Sequence, residues 1–161
     1  MTMLIALAIS IGLLAVAATW LFLGPLAALG FQIWQAFIAW ACFYHCGGKV
    51  EGLTKTIVSM SFGALIGMLS VMLIGPIGAL GAFAAPVAVG LGAATLVLAA
   101  HIGLLSTIPA TVYGFASIAG LILLKTGMTP IDAIAPTIGS IILGAAFAWL
   151  SETIAGKMAK A

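Results

Sequence analysis

The sequence predicts an all-α polytopic membrane protein, and three observations predict it. Hydrophobic residues make up 65% of the chain and charged residues only 5%, whereas a soluble domain carries about 25% charged residues and cannot cover a water-facing surface without them. The apolar residues come in runs of about 20, the length that crosses the hydrocarbon layer as a helix. The ionisable positions (Lys49, Lys55, Lys125, Lys157, Lys160, Glu51, Asp132, Glu152, His45 and His101) fall almost entirely in short gaps between those runs or at the C-terminus. A transmembrane β-barrel would need strands that alternate over about ten residues, and these runs do not alternate.

The first run, residues 4–23, ends at Gly24-Pro25, where proline removes an N–H and restricts the residue before it. Residues 1–10 lack the cationic flank of a cleavable signal peptide, so this run is expected to remain as a helix. A second helix is expected over 29–44, with Gln32 and Gln35 sharing a face and Trp34 and Trp40 alongside. Residues 45–52, His45-Cys46-Gly47-Gly48-Lys49-Val50-Glu51-Gly52, form the most polar loop. A third helix over 53–74 stops at Gly75-Pro76, and a fourth runs over 83–100. The fifth begins near Pro109 and ends before Lys125, and the sixth covers 131–154. Residues 1–161 thus read as a single transmembrane domain, a six-transmembrane-helix bundle with short second and fifth helices.

Six spans place both termini on one side, together with the loops after helices two and four. That side holds Lys49, Lys55, Lys157 and Lys160, and the other holds Lys125. The excess of lysine predicts that both termini are cytoplasmic.

The chain also echoes itself. Ser10-Ile11-Gly12 through Gly24-Pro25 and Ala28-Leu29-Gly30 returns 51 positions later as Ser61-Phe62-Gly63 through Gly75-Pro76 and Ala79-Leu80-Gly81. Thr129-Pro130 marks a third corner, and Ser117 takes the small-residue place of Gly12 and Gly63. The reading is three parallel helical hairpins, set against chance matching in a text rich in Gly, Ala and Leu.

Net charge of +2 is too small and too dispersed for nucleic-acid binding. No paired carboxylates stand at general acid/base spacing, and no phosphate-cradling glycine loop is present, so an enzyme is not expected and no cofactor is implied. Polar residues inside the hydrocarbon are the informative ones, because protein or a watery cavity must cover them. They concentrate in His101-Ile102-Gly103-Leu104-Leu105-Ser106-Thr107-Ile108-Pro109 and the helix that follows, with Thr111, Tyr113 and Ser117. His101 is either a functional imidazole or an interfacial one bonded to a carbonyl. Ser106-Thr107 ahead of Pro109 reads as a hydroxyl N-cap, either a plain turn or the wall of a cavity. Gln35 with Gln32 is either interhelical glue or part of that polar path. Cys42, His45 and Cys46 allow a metal reading by donor type, against which stands the usual role of such cysteines as small packing residues.

Tyr44-His45-Cys46-Gly47-Gly48, then Gly52-Leu53, and Pro109 through Ser117 with Gly114 and Gly120 carry a resemblance. An aromatic residue three places before Gly-Gly, and glycines spaced across helix five, resemble the signature of a family of small bacterial inner-membrane proteins, domain of unknown function 1097 (DUF1097). The resemblance implies an inner-membrane location and no activity. From the residues, the expected function is a homo-oligomeric channel or facilitator in the lipid bilayer for a small uncharged solute, urea- or amide-like. Its contacts are expected from His101, Ser106, Thr107, Thr111, Tyr113, Ser117 and Gln35. The absence of a carboxylate or lysine near the midplane argues against ion coupling. The alternatives are a non-transporting membrane subunit that binds a partner and, third, a metal-handling protein.

Overall fold

The computed structural model describes residues 1–125 and 127–160. Among these residues six α-helices follow one another: α1 (Met3–Leu23), α2 (Ile33–His45), α3 (Lys49–Leu73), α4 (Ala84–Leu98), α5 (Ile108–Leu124) and α6 (Pro130–Lys160). Met3–Leu23, Lys49–Leu73, Gly78–His101 and Pro130–Ala159 are long and apolar enough to cross a membrane, and Ile108–Leu124 is a shorter apolar helix. They mark an integral membrane protein. α2 has 13 residues, about 20 Å of helix.

The inside and outside of the bundle are those of a protein dissolved in lipid. Leu4, Leu13, Val16, Trp20 and Leu23 of α1 are exposed, as are Phe83, Val89 and Leu91 around α4. The buried set is instead dominated by alanine, with Gln35 and the hydroxyls of Ser10, Thr56, Ser59, Ser70, Thr111, Ser117, Thr137, Ser140 and Ser151. Small buried residues let helix backbones approach closely where no hydrophobic effect drives them together.

The centre is built from two parallel helix pairs. α3 and α5 touch through glycine on each side. A Cβ at Gly63 would strike the Thr111 carbonyl, and one at Gly114 would strike the Met60 carbonyl. Further along, Gly67 lies against Ile118 and Phe115. α2 and α6 also run parallel, with Gly30 on Pro136, Ala36 on Gly144, and Trp40 on Ser151. α1 lies antiparallel along α6, joined by Ser10 Oγ to the Ser151 carbonyl at 3.0 Å. α4 packs mainly on α3.

Several boundaries differ from the sequence expectation, for local reasons. α2 starts at Ile33, not at residue 29, because Ala27–Leu29 is a 3-10 turn closed by Gly30 at φ 77°. Gln32 is therefore the residue before the helix, and its side chain bonds back to the Gly30 carbonyl instead of sharing a helix face with Gln35. α2 ends where Gly47 N–H bonds the Tyr44 carbonyl and Gly48 N–H the Phe43 carbonyl, a Schellman arrangement with Gly47 at φ 92°. α3 then begins at Lys49, inside the expected loop, because Glu152 Oε2 accepts the Lys49 N–H at 2.7 Å and caps the helix. α6 opens with a threonine N-cap: Thr129 Oγ1 accepts from the Asp132 N–H at 3.2 Å and donates to Asp132 Oδ2 at 2.6 Å.

The first two corners match at the backbone. Gly30 and Gly81, 51 positions apart in the sequence, both take positive φ, 77° and 56°. Each closes or interrupts a 3-10 segment, Ala27–Leu29 and Gly78–Phe83.

Candidate functional site

Gln35 sits in the first turn of α2, fully buried between α5 and α6. Its Nε2 donates to the Ser117 main-chain carbonyl at 2.9 Å and to Thr137 Oγ1 at 3.1 Å. A carbonyl can only accept, so the amide nitrogen must face Ser117 and the oxygen must face away. Among the described residues that oxygen, Oε1, has no hydrogen-bond partner. A buried amide oxygen left unpaired costs about 1–3 kcal/mol, so Gln35 carries an unsatisfied acceptor inside the bundle. One turn away, Ser140 Oγ accepts the Gln32 N–H at 2.9 Å and donates to the Pro136 carbonyl at 2.7 Å. A polar strip thus runs along the α2–α6 seam from Gly30 to Thr137.

Towards the end of the bundle that carries both termini, the strip continues through Cys42, His45 and Cys46. Cys42 Sγ accepts from Thr56 Oγ1 at 3.6 Å and lies 3.9 Å from Cys46 Sγ. His45 turns away to Tyr113, with Nδ1 at 3.1 Å from the phenol oxygen. The structure therefore does not converge Cys42, His45 and Cys46 on one point. Among the described residues, no group of three or more His, Cys, Asp or Glu side chains is placed to hold a metal ion.

Beside it, Ser151 takes the Ser10 hydroxyl of α1 on its carbonyl and ties α6 to α2 through its side chain. Its Oγ donates to the Ala148 carbonyl at 2.6 Å, so it accepts both from Trp40 Nε1 at 3.2 Å and from the Tyr44 hydroxyl at 2.7 Å.

The α4–α5 connection is compact. It is two 3-10 turns, Ala99–His101 and Gly103–Leu105, held down by Ser59 Oγ donating to the Leu104 carbonyl at 2.9 Å. Ser59 lies ten residues into α3, about 15 Å below its start, so the connection is sunk below that end of the bundle. His101 and Ser106 are exposed on it. Thr107 stands before α5 but makes no side-chain cap bond, and the Ser106 hydroxyl turns back to the Gly103 carbonyl at 2.8 Å. Pro109 occupies the first turn. Thr111 and Ser117 are buried and donate to carbonyls of their own turn, Ile108 at 2.8 Å and Tyr113 at 2.7 Å.

Of the sequence candidates, the fold brings Gln35 to Ser117, and His45 to Tyr113. His101, Ser106 and Thr107 stay on the connection. Thr137, Ser140 and Ser151 were not singled out from sequence. The cue was hydroxyls three and then eleven apart after Pro136, on the helix face that meets α2.

The sequence matches the family model described as "Protein of unknown function (DUF1097)" over residues 8–156. The chain belongs to this family. The matched region takes in α2 to α5 whole, most of α1 and α6, and the polar strip of this DUF1097 member. No curated protein and no solved structure matches the chain.

Proposed function

We propose that the protein is a homo-oligomeric facilitator in the bacterial inner membrane for a small, uncharged solute, urea- or amide-like, and that Gln35 is the group that meets it. The reading rests on Gln35 Oε1, a fully buried acceptor without a partner. An amide or urea N–H is the donor such an oxygen takes. The buried polar side chains around it are Ser and Thr, which suits an uncharged solute, since charge-coupled transport uses ionisable groups within the spans.

Access to Gln35 comes from movement of α2. It is the shortest helix and is bounded by left-handed glycines, Gly30 at one end and Gly47-Gly48 at the other, the backbone freedom a hinged element uses. Six spans as three parallel hairpins, with both termini cytoplasmic, complete the proposal. The matching corners at Gly30 and Gly81 support the hairpins, and the lysine excess supports the orientation. Gly12 and Gly90 face open space, the kind of surface on which a second copy can approach closely in lipid.

Liposome swelling with urea, acetamide and glycerol tests the transport reading. Swelling above that of empty vesicles is expected for at least one solute and is expected to fall in Gln35→Leu. No permeability to any of them with folded protein removes the reading. Phosphatase fusions test the orientation: activity is expected after Gly127 and none after Gly47.

A second reading, a non-transporting subunit that packs against a partner, is favoured by the hydroxyls of Ser106, Thr111 and Ser117. Each is bonded to a nearby carbonyl and offers no donor to a solute. Stoichiometric co-purification of a partner from native membranes supports that reading.

A further inference from the structure

We propose that Cys42 and Cys46 form a two-coordinate site for a soft monovalent cation of the copper(I) and silver(I) class, separate from the Gln35 site. The two sulfurs lie 3.9 Å apart on successive turns of α2, and both cysteines are free thiols. Metal–sulfur bonds of about 2.3 Å put two sulfurs about 3.8 Å apart on a tetrahedral ion and about 4.6 Å apart on a linear one. The pair therefore starts at chelating distance and needs to open by less than 1 Å.

Opening falls to Cys46. It is the residue at which α2 ends, followed by Gly47 and Gly48, and it is only half-buried. Cys42 is fixed: it is fully buried, and Thr56 Oγ1 directs its hydrogen at the sulfur.

The choice of cation follows from what surrounds the pair. Zinc(II) asks for four ligands, and among the described residues no third His, Cys, Asp or Glu joins these two. Soft thiolate ligands select copper(I), and two of them complete the shell of a linear monovalent ion. Binding replaces two S–H bonds by two S–metal bonds and releases two protons, leaving a bis-thiolate complex of single negative charge. No electron is transferred. The cation enters from the end of the bundle where His45 and Gly47 are exposed.

The test is silver(I) titration of the reduced full-length protein in detergent and chloride-free buffer, followed by competition with a chromophoric chelator. One equivalent per chain is expected, with two protons released. Cys42→Ser and Cys46→Ser are each expected to weaken binding on the order of 100-fold, because a chelate becomes a single ligand. Wild-type protein blocked with N-ethylmaleimide is expected to lose the site without any substitution, so a misfolded variant cannot decide the outcome. Failure of the wild type to bind silver overturns the proposal. Two independent equivalents, one lost in each variant, or affinity unchanged in either variant, overturns it equally. None of these outcomes depends on solute permeation.

Discussion

Gln35 Nε2 and the Ser117 carbonyl are joined across 2.9 Å between α2 and α5, and this bond decides which way the buried amide points. With nitrogen committed to Ser117 and Thr137, the oxygen is left without a partner. The arrangement separates a structural role from a functional one. Gln35→Leu removes two hydrogen bonds, but it also removes an unpaired buried acceptor, and the two effects oppose each other. Stability in detergent is expected to change by no more than about 1 kcal/mol, while permeation to a urea- or amide-like solute is lost. A thermal unfolding midpoint measured beside vesicle swelling checks both. A loss of several kcal/mol in the leucine variant would make Gln35 a structural clamp.

The contact between α3 and α5 makes a sharper stability prediction. Gly63→Ala and Gly114→Ala each drive a Cβ into a main-chain carbonyl of the other helix, and a backbone cannot rotate aside as a side chain can. Each is expected to cost about 2–3 kcal/mol or more. Gly12→Ala has open space in front of it and lies inside α1, so it is expected to gain up to about 1 kcal/mol of helix propensity. Reversible unfolding in mixed detergent micelles measures the three together. Equal effects at Gly12 and Gly63 would contradict the close crossing.

That contrast also shows what could be read from the chain and what could not. The helices were legible because Gly-Pro pairs, charges and polar loops punctuate apolar runs, which are local signals. Gly12 and Gly63 occupy matching places in the sequence echo, yet only Gly63 is pressed against another helix, and no local pattern distinguishes them. The start of α2 was missed because Leu29 and Phe31 continue the apolar run, while the left-handed Gly30 between them breaks it. Within the candidate site, Gln35 was visible as a polar residue in an apolar run. Its partners Ser117 and Thr137 come from 82 and 102 positions away, so the packing of α2 chose them. Ser106, Thr111 and Ser117 stood out as hydroxyls, but sequence does not say that each bonds to a nearby carbonyl.

The junction of α2 and α3 holds a residue under backbone strain. Lys49 has φ 57°, a region that side chains other than Gly, Asn and Asp avoid at a cost of about 1–2 kcal/mol. Glu152 holds it there by accepting its N–H. Lys49→Gly is expected to raise stability by up to about 1 kcal/mol. Glu152→Ala is expected to lower it by about 1 kcal/mol through loss of the cap. In the double variant the loss on removing Glu152 is expected to shrink, because glycine needs less restraint. Amide hydrogen exchange over the first turn of α3 reports the same ordering locally.

Ser151 is the last residue whose substitution the structure makes predictable, and the reasoning turns on donors. Its hydroxyl hydrogen goes to the Ala148 carbonyl, so its oxygen accepts from both Trp40 and Tyr44. Ser151→Ala leaves two buried or half-buried donors without that acceptor, and is expected to cost about 2–3 kcal/mol. Tyr44→Phe removes one donor and leaves Ser151 still paired with Trp40, so it is expected to cost only about 1 kcal/mol. The double variant then tests the geometry: once Ser151 is alanine, removing the Tyr44 hydroxyl relieves an orphaned donor. It is expected to be less destabilising than the sum of the two, with a coupling of at least about 0.5 kcal/mol. Additive effects would mean that Tyr44 and Ser151 do not share a hydrogen bond, and Ser151 would then hold α2 through Trp40 alone.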